Sequence, residues 1–299
     1  MRIVAAIGGN ALIPRGSEPS AEVQLRNVEE AASALAALAP GNQLVVTHGN
    51  GPQVGLLAHQ SAAVEGVDPY PLDILGAESD GMIGYLVARE LRERLGDREV
   101  AALLTMVEVD ADDPAFQDPT KPIGVAHPAE RLTDLVERFG WTMIGVEGGV
   151  RRVVPSPKPK AIPELPTIRL LLEAGAVVVC GGGGGIPVVR TAAGWAGVEA
   201  VVDKDLLSAL LAAQLGADHL LLLTDVSAVF AHFGTPAAHR LEVLHLDEVE
   251  GSAFAAGSMG PKVEAGAWFT RTTGKPSSIG ATTDAAAVLA GEAGTRIAK

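Results

Sequence analysis

A chain of 299 residues can bury a large core, and 47% hydrophobic residues with only 4% aromatic ones mean that Ala, Leu, Val and Ile must build it. That balance favours an α/β protein with a parallel sheet, read here as one elaborated domain over residues 1–299. A formal net charge of −13 opposes adsorption to phosphate backbones or anionic lipid, which excludes nucleic acid and membrane surfaces as expected partners.

The opening stretch, Met1 to Asn10, is too short in apolar residues for a signal peptide, and no later run stays apolar long enough to span a bilayer. Together with a single cysteine, Cys180, this fits a reducing cytoplasm. Ile3 to Ile7 reads as a strand, followed by Gly8-Gly9-Asn10. Glu22 to Leu38 places Val28, Leu35 and Leu38 at helical spacing. Gln43 to Thr47 reads as the second strand and runs into His48-Gly49-Asn50-Gly51-Pro52-Gln53; Val100 to Val107 reads as the third.

Between about Asp110 and Pro166 the pattern changes, with Asp, Pro and Lys crowded into Asp112-Asp113-Pro114, Asp118 to Pro122 and Pro155 to Pro163. Prolines at that density oppose regular core elements, so an inserted subdomain protruding from the sheet is expected over about 110–166. Leu132, Leu135, Phe139, Trp141, Met143 and Ile144 offer it a small core of its own. Beyond it, Ala176 to Cys180 reads as a strand ending in Gly181 to Gly185. Leu206, Leu210 and Leu211 mark a helix with Gly216 as its C-cap, and Leu220 to Thr224 is a very apolar strand ending at Asp225.

Open parallel sheets bind ligands at the carboxyl ends of their strands, and three such ends carry glycine-rich turns. Glycine lets backbone N–H groups approach an anion, and a following helix N-terminus adds dipole and unpaired donors, so the three turns suggest a phosphate-binding rim. Two familiar nucleotide signatures are absent. Gly274-Lys275 runs into Pro276, not the Ser or Thr of a P-loop, and a dinucleotide fingerprint begun at Gly181 or Gly183 would need a small residue at Ile186 or Val188.

Phosphoryl transfer needs positive charge around the moving group more than it needs a nucleophile. Lys204, flanked by Asp203 and Asp205, stands before an apolar helix; Lys262 follows Gly260-Pro261 at another helix start; Lys121 lies in the insertion, where it could close over a substrate. Asp225 suits either a nucleoside contact or a helix N-cap. The seven histidines show no metal-ligand spacing, His48 reads as a structural neighbour of its turn, and Cys180 reads as a small core residue.

At these residues the chain resembles the carbamate kinases of the amino acid kinase superfamily. The likeness runs nearly end to end through Ala5 to Leu12, Thr47 to Gly55, Leu72 to Ser79, Lys121 to Gly124, Arg151 to Pro157, Asp203 to Asp205 and Met259 to Val263. The resemblance implies a three-layer αβα sandwich with a mainly parallel central sheet and a small protruding subdomain, assembled as a homodimer. The expected activity is reversible phosphoryl transfer between carbamoyl phosphate and ADP, giving ATP and carbamate. It further implies that Gly8, Gly9, Asn10, Gly49, Asn50 and Gly51 hold the substrate and phosphoryl group, and that Lys121, Lys204 and Lys262 neutralise charge under the orientation of Asp205. The nucleotide would lie by Asp203, Asp225, Val226, Val229, Met259 and Gly260, with Mg²⁺ on its phosphates and no protein metal site. Ala5, Ala6 and Ile7 stand where acetylglutamate and aspartate kinases carry a lysine. Val125-Ala126-His127, Ser227 and Phe230 depart from the family's common Pro and aromatics, Asp and Tyr. A nucleotide- or anion-binding sensor or store on the same fold, or a kinase for another small carboxylate or phosphonate, are the competing readings.

Overall fold

In the computed structural model, residues 1–13, 20–64, 66–251 and 259–299 are described, without the side chains of residues 10, 11, 250 and 251. The apolar runs form the middle of an eight-stranded sheet. In chain order its strands are β1 (Arg2–Ile7), β2 (Gln43–His48) and β3 (Val100–Ala102). A smaller sheet takes β4 (Met106–Val109), and the proline-rich region holds β5 (Lys121–Pro122), β6 (Thr142–Val146) and β7 (Gly149–Val154). There follow β8 (Pro159–Ala161), β9 (Val177–Val179), β10 (Ile186–Thr191), β11 (Gly194–Gly197) and β12 (His219–Thr224). The chain closes with β13 (Phe230–Ala231), β14 (His239–Arg240), β15 (Val243–His245), β16 (Ser277–Ala281) and β17 (Thr295–Ala298). The large sheet runs β15-β17-β16-β12-β1-β2-β9-β3, and every pairing is parallel except β16 with β17.

Alternation along each strand separates two cores. Val4, Ala6, Val45, Val178, Cys180, Leu220 and Leu222 face one side, and Ile3, Ala5, Ile7, Leu44, Val46, Val177, Val179, Leu221 and Leu223 face the other. Among the helices, α1 (Gly9–Leu12), α2 (Ala21–Ala36), α3 (Gly51–Ala62), α4 (Leu72–Leu95), α5 (Leu132–Phe139), α6 (Leu165–Glu173), α7 (Lys204–Leu215), α8 (Leu246–Gly251), α9 (Met259–Thr273) and α10 (Ala285–Ala290), the first core is covered by α6, α7 and α9 and the second by α2, α4 and α10. This is the three-layer αβα sandwich. Gly216 closes α7 in the left-handed conformation, φ 66 and ψ 43, as its sequence position suggests.

The single strand expected over Val100 to Val107 is two strands in two sheets. Leu103 still donates to the Val179 carbonyl, but the buried Thr105 gives its N–H to Asp80 and takes the Gly181 N–H on its hydroxyl, which turns the chain into β4. There β4 joins the sheet β11-β10-β4-β8. Within the proline-rich region, β5, β7 and β6 form a three-stranded antiparallel sheet, and Leu135 and Trp141 are buried beside it with Phe139 stacked on Trp141 at 4.8 Å. The proline clusters flank this sheet, and β8 at the far end of the region returns to pair with β4. None of the helices, among the described residues, is long and apolar enough to cross a membrane.

Candidate functional site

Strands β12, β1, β2 and β9 are neighbours, so their carboxyl ends bring Asp225, Gly8-Gly9, Gly49 to Gly51 and the Gly181 to Gly185 run to one edge. Two of these turns touch. A methyl group built at Gly49 would stand 2.5 Å from the Gly9 amide nitrogen, so glycine is required at 49 by the neighbouring backbone. Gly8 and Gly49 do not offer their own N–H groups: each extends the sheet, to the Leu223 and Ile7 carbonyls at 3.0 and 2.9 Å. The amides of Gly9, Asn50 and Gly51 make no hydrogen bond among the described residues, and Gly51 opens α3. The side chain of Asn10 lies outside the described residues.

The five-glycine run has a different role from the anion-binding turn expected of it. All five residues are buried, and Gly181, Gly183, Gly184 and Gly185 have φ between 64 and 96. Gly181 and Gly182 donate to Thr105 and Asp80, and Gly184 and Gly185 to carbonyls within the run. A side chain at 182 would strike Asp80 and His48, one at 183 the Asn50 amide, and one at 184 the Val202 carbonyl. The run is thus a floor on which Asn50 and the start of α7 rest. Asn50 is further held by Ser79, to which its Nδ2 donates at 2.7 Å.

Asp203 caps α7, its side chain accepting from the N–H of Asp205 at 2.8 Å and of Leu206 at 3.4 Å, and this places Lys204 and Asp205 in the first turn. Thr47 at the end of β2 bonds the Ser208 hydroxyl at 2.6 Å, tying α7 to the sheet edge. Asp205, 3% exposed, lies between two ammonium groups: Lys204 Nζ is 2.5 Å from Oδ1 and Lys262 Nζ, from the first turn of α9, is 3.1 Å from Oδ2. Burial depresses the Lys204 pKa below the ordinary lysine range, Asp205 opposes that fall, and Lys262 adds to it. Gly257 and Ser258, ahead of α9, lie outside the described residues.

Lys121 on β5 reaches over to Asp203, Nζ to Oδ2 2.9 Å, across 82 residues of sequence. Burial alone would push the Asp203 carboxyl up; the Lys121 ion pair, Lys204 and the Asp205 N–H outweigh it and hold the group at about 2, against an ordinary 3.8. A depressed carboxyl pKa gives stability that is present above the unfolded value and lost as pH falls through the folded one. Asp203→Asn, which keeps a cap, should therefore cost about 2 kcal/mol at neutral pH, and urea-melt stabilities of the two proteins should converge between about pH 4 and pH 2.

The segment beyond Lys121 docks on α3. Ile123 and Val154 pack with Val54, Ala58, Leu72 and Leu75, and Gly124 touches Gly55 backbone to backbone. At the departure from the family pattern, His127 fits between His59, 5.6 Å away, and Trp141, 6.4 Å away, while Val125 is exposed. Arg152 lies over Trp141 at 4.4 Å and pairs with Glu199 at 3.1 Å.

Of the expected nucleotide residues, Asp225 and Val226 are exposed at the end of β12, and Met259 and Gly260 open α9, half-buried. Asp225 caps no helix; it accepts from the Thr224 hydroxyl at 2.9 Å. Val229 is wholly buried in the core and donates its N–H to Thr295, so it supports this region from below. Sequence reasoning missed Asp203 as the partner of Lys121, and Asp80, Thr105 and Ser79 as the supports of the turns. The pairing of Asp203 with Lys121 spans 82 residues, and nothing in the local sequence announces it.

Comparison with known proteins gives a consistent result. Residues 1–281 match the model of the Amino acid kinase family. A carbamate kinase of Haemophilus influenzae is 48% identical, with 100% of this chain and 97% of that protein aligned, and one of Rhizobium meliloti is 49% identical over 99% and 93%. The solved carbamate kinase from Giardia lamblia bound to AMP-PNP superposes with a TM-score of 0.92 at 38% identity, covering 100% of this chain and 98% of that one.

Proposed function

From its membership of the amino acid kinase family, in which this chain belongs with the carbamate kinases, we infer that the site moves a phosphoryl group reversibly between carbamoyl phosphate and ADP, giving ATP and carbamate. The observation that carries this reading is the single carboxylate of Asp205 holding Lys204 and Lys262 together at the sheet edge, with Lys121 anchored two residues before it on Asp203. Fixed cations of this kind stabilise charge on a phosphoryl group in flight without reorganising at the moment of transfer. Gly9, Asn50 and Gly51 would bind the carbamoyl phosphate end through their amides, and Asp225, Val226, Met259 and Gly260 would meet the nucleotide. A sensor or store would give the three anchored lysines no task.

Direct in-line transfer fits an edge whose histidine and cysteine are both out of reach of a substrate. His48 is fully buried, and burial holds the Cys180 thiol far above its usual pKa. Mg²⁺ would enter with the nucleotide. Among the described residues no three His, Cys, Asp or Glu side chains converge, and Asp203 and Asp205 already accept from lysines. The residues present therefore fit a metal held mainly by phosphate and water oxygens. When bound it would add positive charge to that of the lysines. Production of ATP from ADP and carbamoyl phosphate, followed by a coupled assay with Mg²⁺, tests the reading; folded protein that turns over neither direction would refute it.

We also propose a homodimer in a reducing cytoplasm. Ile74, Met82 and Tyr85 on one face of α4, with Leu104 beside Gly81, are 38 to 58% exposed and offer an apolar surface to a second copy. Sedimentation should give twice the chain mass, and Tyr85→Asp combined with Leu104→Asp should give the single-chain mass at micromolar concentration.

A further inference from the structure

Gln53 is 2% exposed, and neither its Oε1 nor its Nε2 has a hydrogen-bond partner among the described residues. Gln24 and Gln214 each bury one unpartnered amide atom, but among the described residues only Gln53 has both. Leaving a carboxamide dry and unpaired is costly, and such a group in a folded protein calls for a partner that arrives later.

Its position suggests that partner. Gln53 stands in the first turn of α3, three residues after Asn50. Side chains on a helix lean toward its N-terminus, so a long side chain at 53 covers the Asn50-Gly51 turn. One helical turn further along, Leu57 packs against the cluster of Val54, Ala58, Leu72, Leu75, Ile123 and Val154. The carboxamide therefore leans toward the unpaired amides of the glycine turn.

We propose that Gln53 reads the carbamoyl group: Oε1 accepts from the substrate N–H, and Nε2 donates to the carbamoyl carbonyl oxygen. This assignment rests on the proposed reaction and names the residue that sets its specificity. A carboxamide presents one acceptor beside one donor, which is the complement of an O=C–NH₂ edge, and the two parallel bonds fix the group in one orientation. Acetyl phosphate, with a methyl in place of the amino group, would leave Oε1 unpaired and be rejected.

The test compares wild type with Gln53→Met, an apolar residue of similar length, using carbamoyl phosphate and acetyl phosphate with MgADP. The variant should lose about 10²-fold in kcat/KM for carbamoyl phosphate and most of its preference over acetyl phosphate, while its KM for ADP changes by less than about 3-fold. Its melting midpoint without substrate should equal or exceed that of wild type, because two unsatisfied buried atoms have been removed; a purely structural glutamine would shift it down. Undiminished use of carbamoyl phosphate, an equal loss on both substrates, a lowered midpoint or a variant that does not fold would each overturn the assignment. Wild-type protein that makes no ATP from carbamoyl phosphate would instead overturn the reaction itself, and the assignment with it.

Discussion

Asp205→Asn should lower kcat on the order of 10³-fold and destabilise the protein by about 3 kcal/mol, a larger effect than removing either lysine it holds. The carboxylate is nearly inaccessible and accepts from both ammonium groups, at 2.5 and 3.1 Å. Neutralising it leaves two buried cations facing each other. Lys204→Ala, by contrast, leaves Asp205 paired with Lys262, so it should cost on the order of 10²-fold in kcat with little loss of stability. The asparagine variant should also acquire a new pH dependence. Burial and Lys262 already depress the Lys204 pKa, and Asp205 is the strongest influence opposing them. Without it Lys204 gives up its proton at lower pH, so residual activity should fall with rising pH sooner than the wild-type activity does. The three residues act as a unit, so adding Lys204→Ala to Asp205→Asn should cost far less than Lys204→Ala alone. Urea melts and kcat profiles from pH 6 to 9 read both effects; additive losses would show that the lysines work separately.

What was legible beforehand divides along the range of the interactions involved. The strands β1, β2 and β12 declare themselves because consecutive residues must satisfy two apolar faces at once, which only Val, Ile, Leu and Ala runs can do. The start of α7 is equally local, since Asp203 caps the helix that Lys204 and Asp205 begin. The break after Ala102 was not legible: Val100 to Val107 is apolar but for Thr105, and it bends because Thr105 meets Asp80, 25 residues away, and Gly181, 76 residues away. The same holds for the glycine run, where glycine is demanded by left-handed φ values and by Asp80, Asn50 and Val202 pressing from other elements. Turns after Ile7 and His48 looked alike from sequence to the one after Cys180. Only the close approach of Gly49 to Gly9, and the prior use of four of the five N–H groups in the third turn, separate an open donor site from a packed floor.

That distinction carries over to the proline-rich region, where glycine again lets two backbones meet. Gly55 in α3 and Gly124, φ 66, are in direct contact, and a methyl group at 55 would press into Gly124 Cα and stand 2.5 Å from its nitrogen. Neither neighbour is a flexible side chain, so Gly55→Ala must push the segment off the helix by roughly 1 Å to reach ordinary contact. Lys121 is three residues from Gly124, and its 2.9 Å contact with Asp203 cannot survive such a shift unchanged. Misplacement of this size costs up to about 10²-fold when a charged group must meet a reacting centre, so kcat/KM should fall by that order. Overpacking should also lower stability by about 1 to 3 kcal/mol. Gly76→Ala serves as the control, because its methyl in α4 meets nothing within 4 Å and should leave activity unchanged. The decisive comparison is with Lys121→Ala. If Gly55 acts by positioning Lys121, the double variant should be no slower than Lys121→Ala alone, whereas a full additional loss would mean that the contact serves the site by some route other than that lysine.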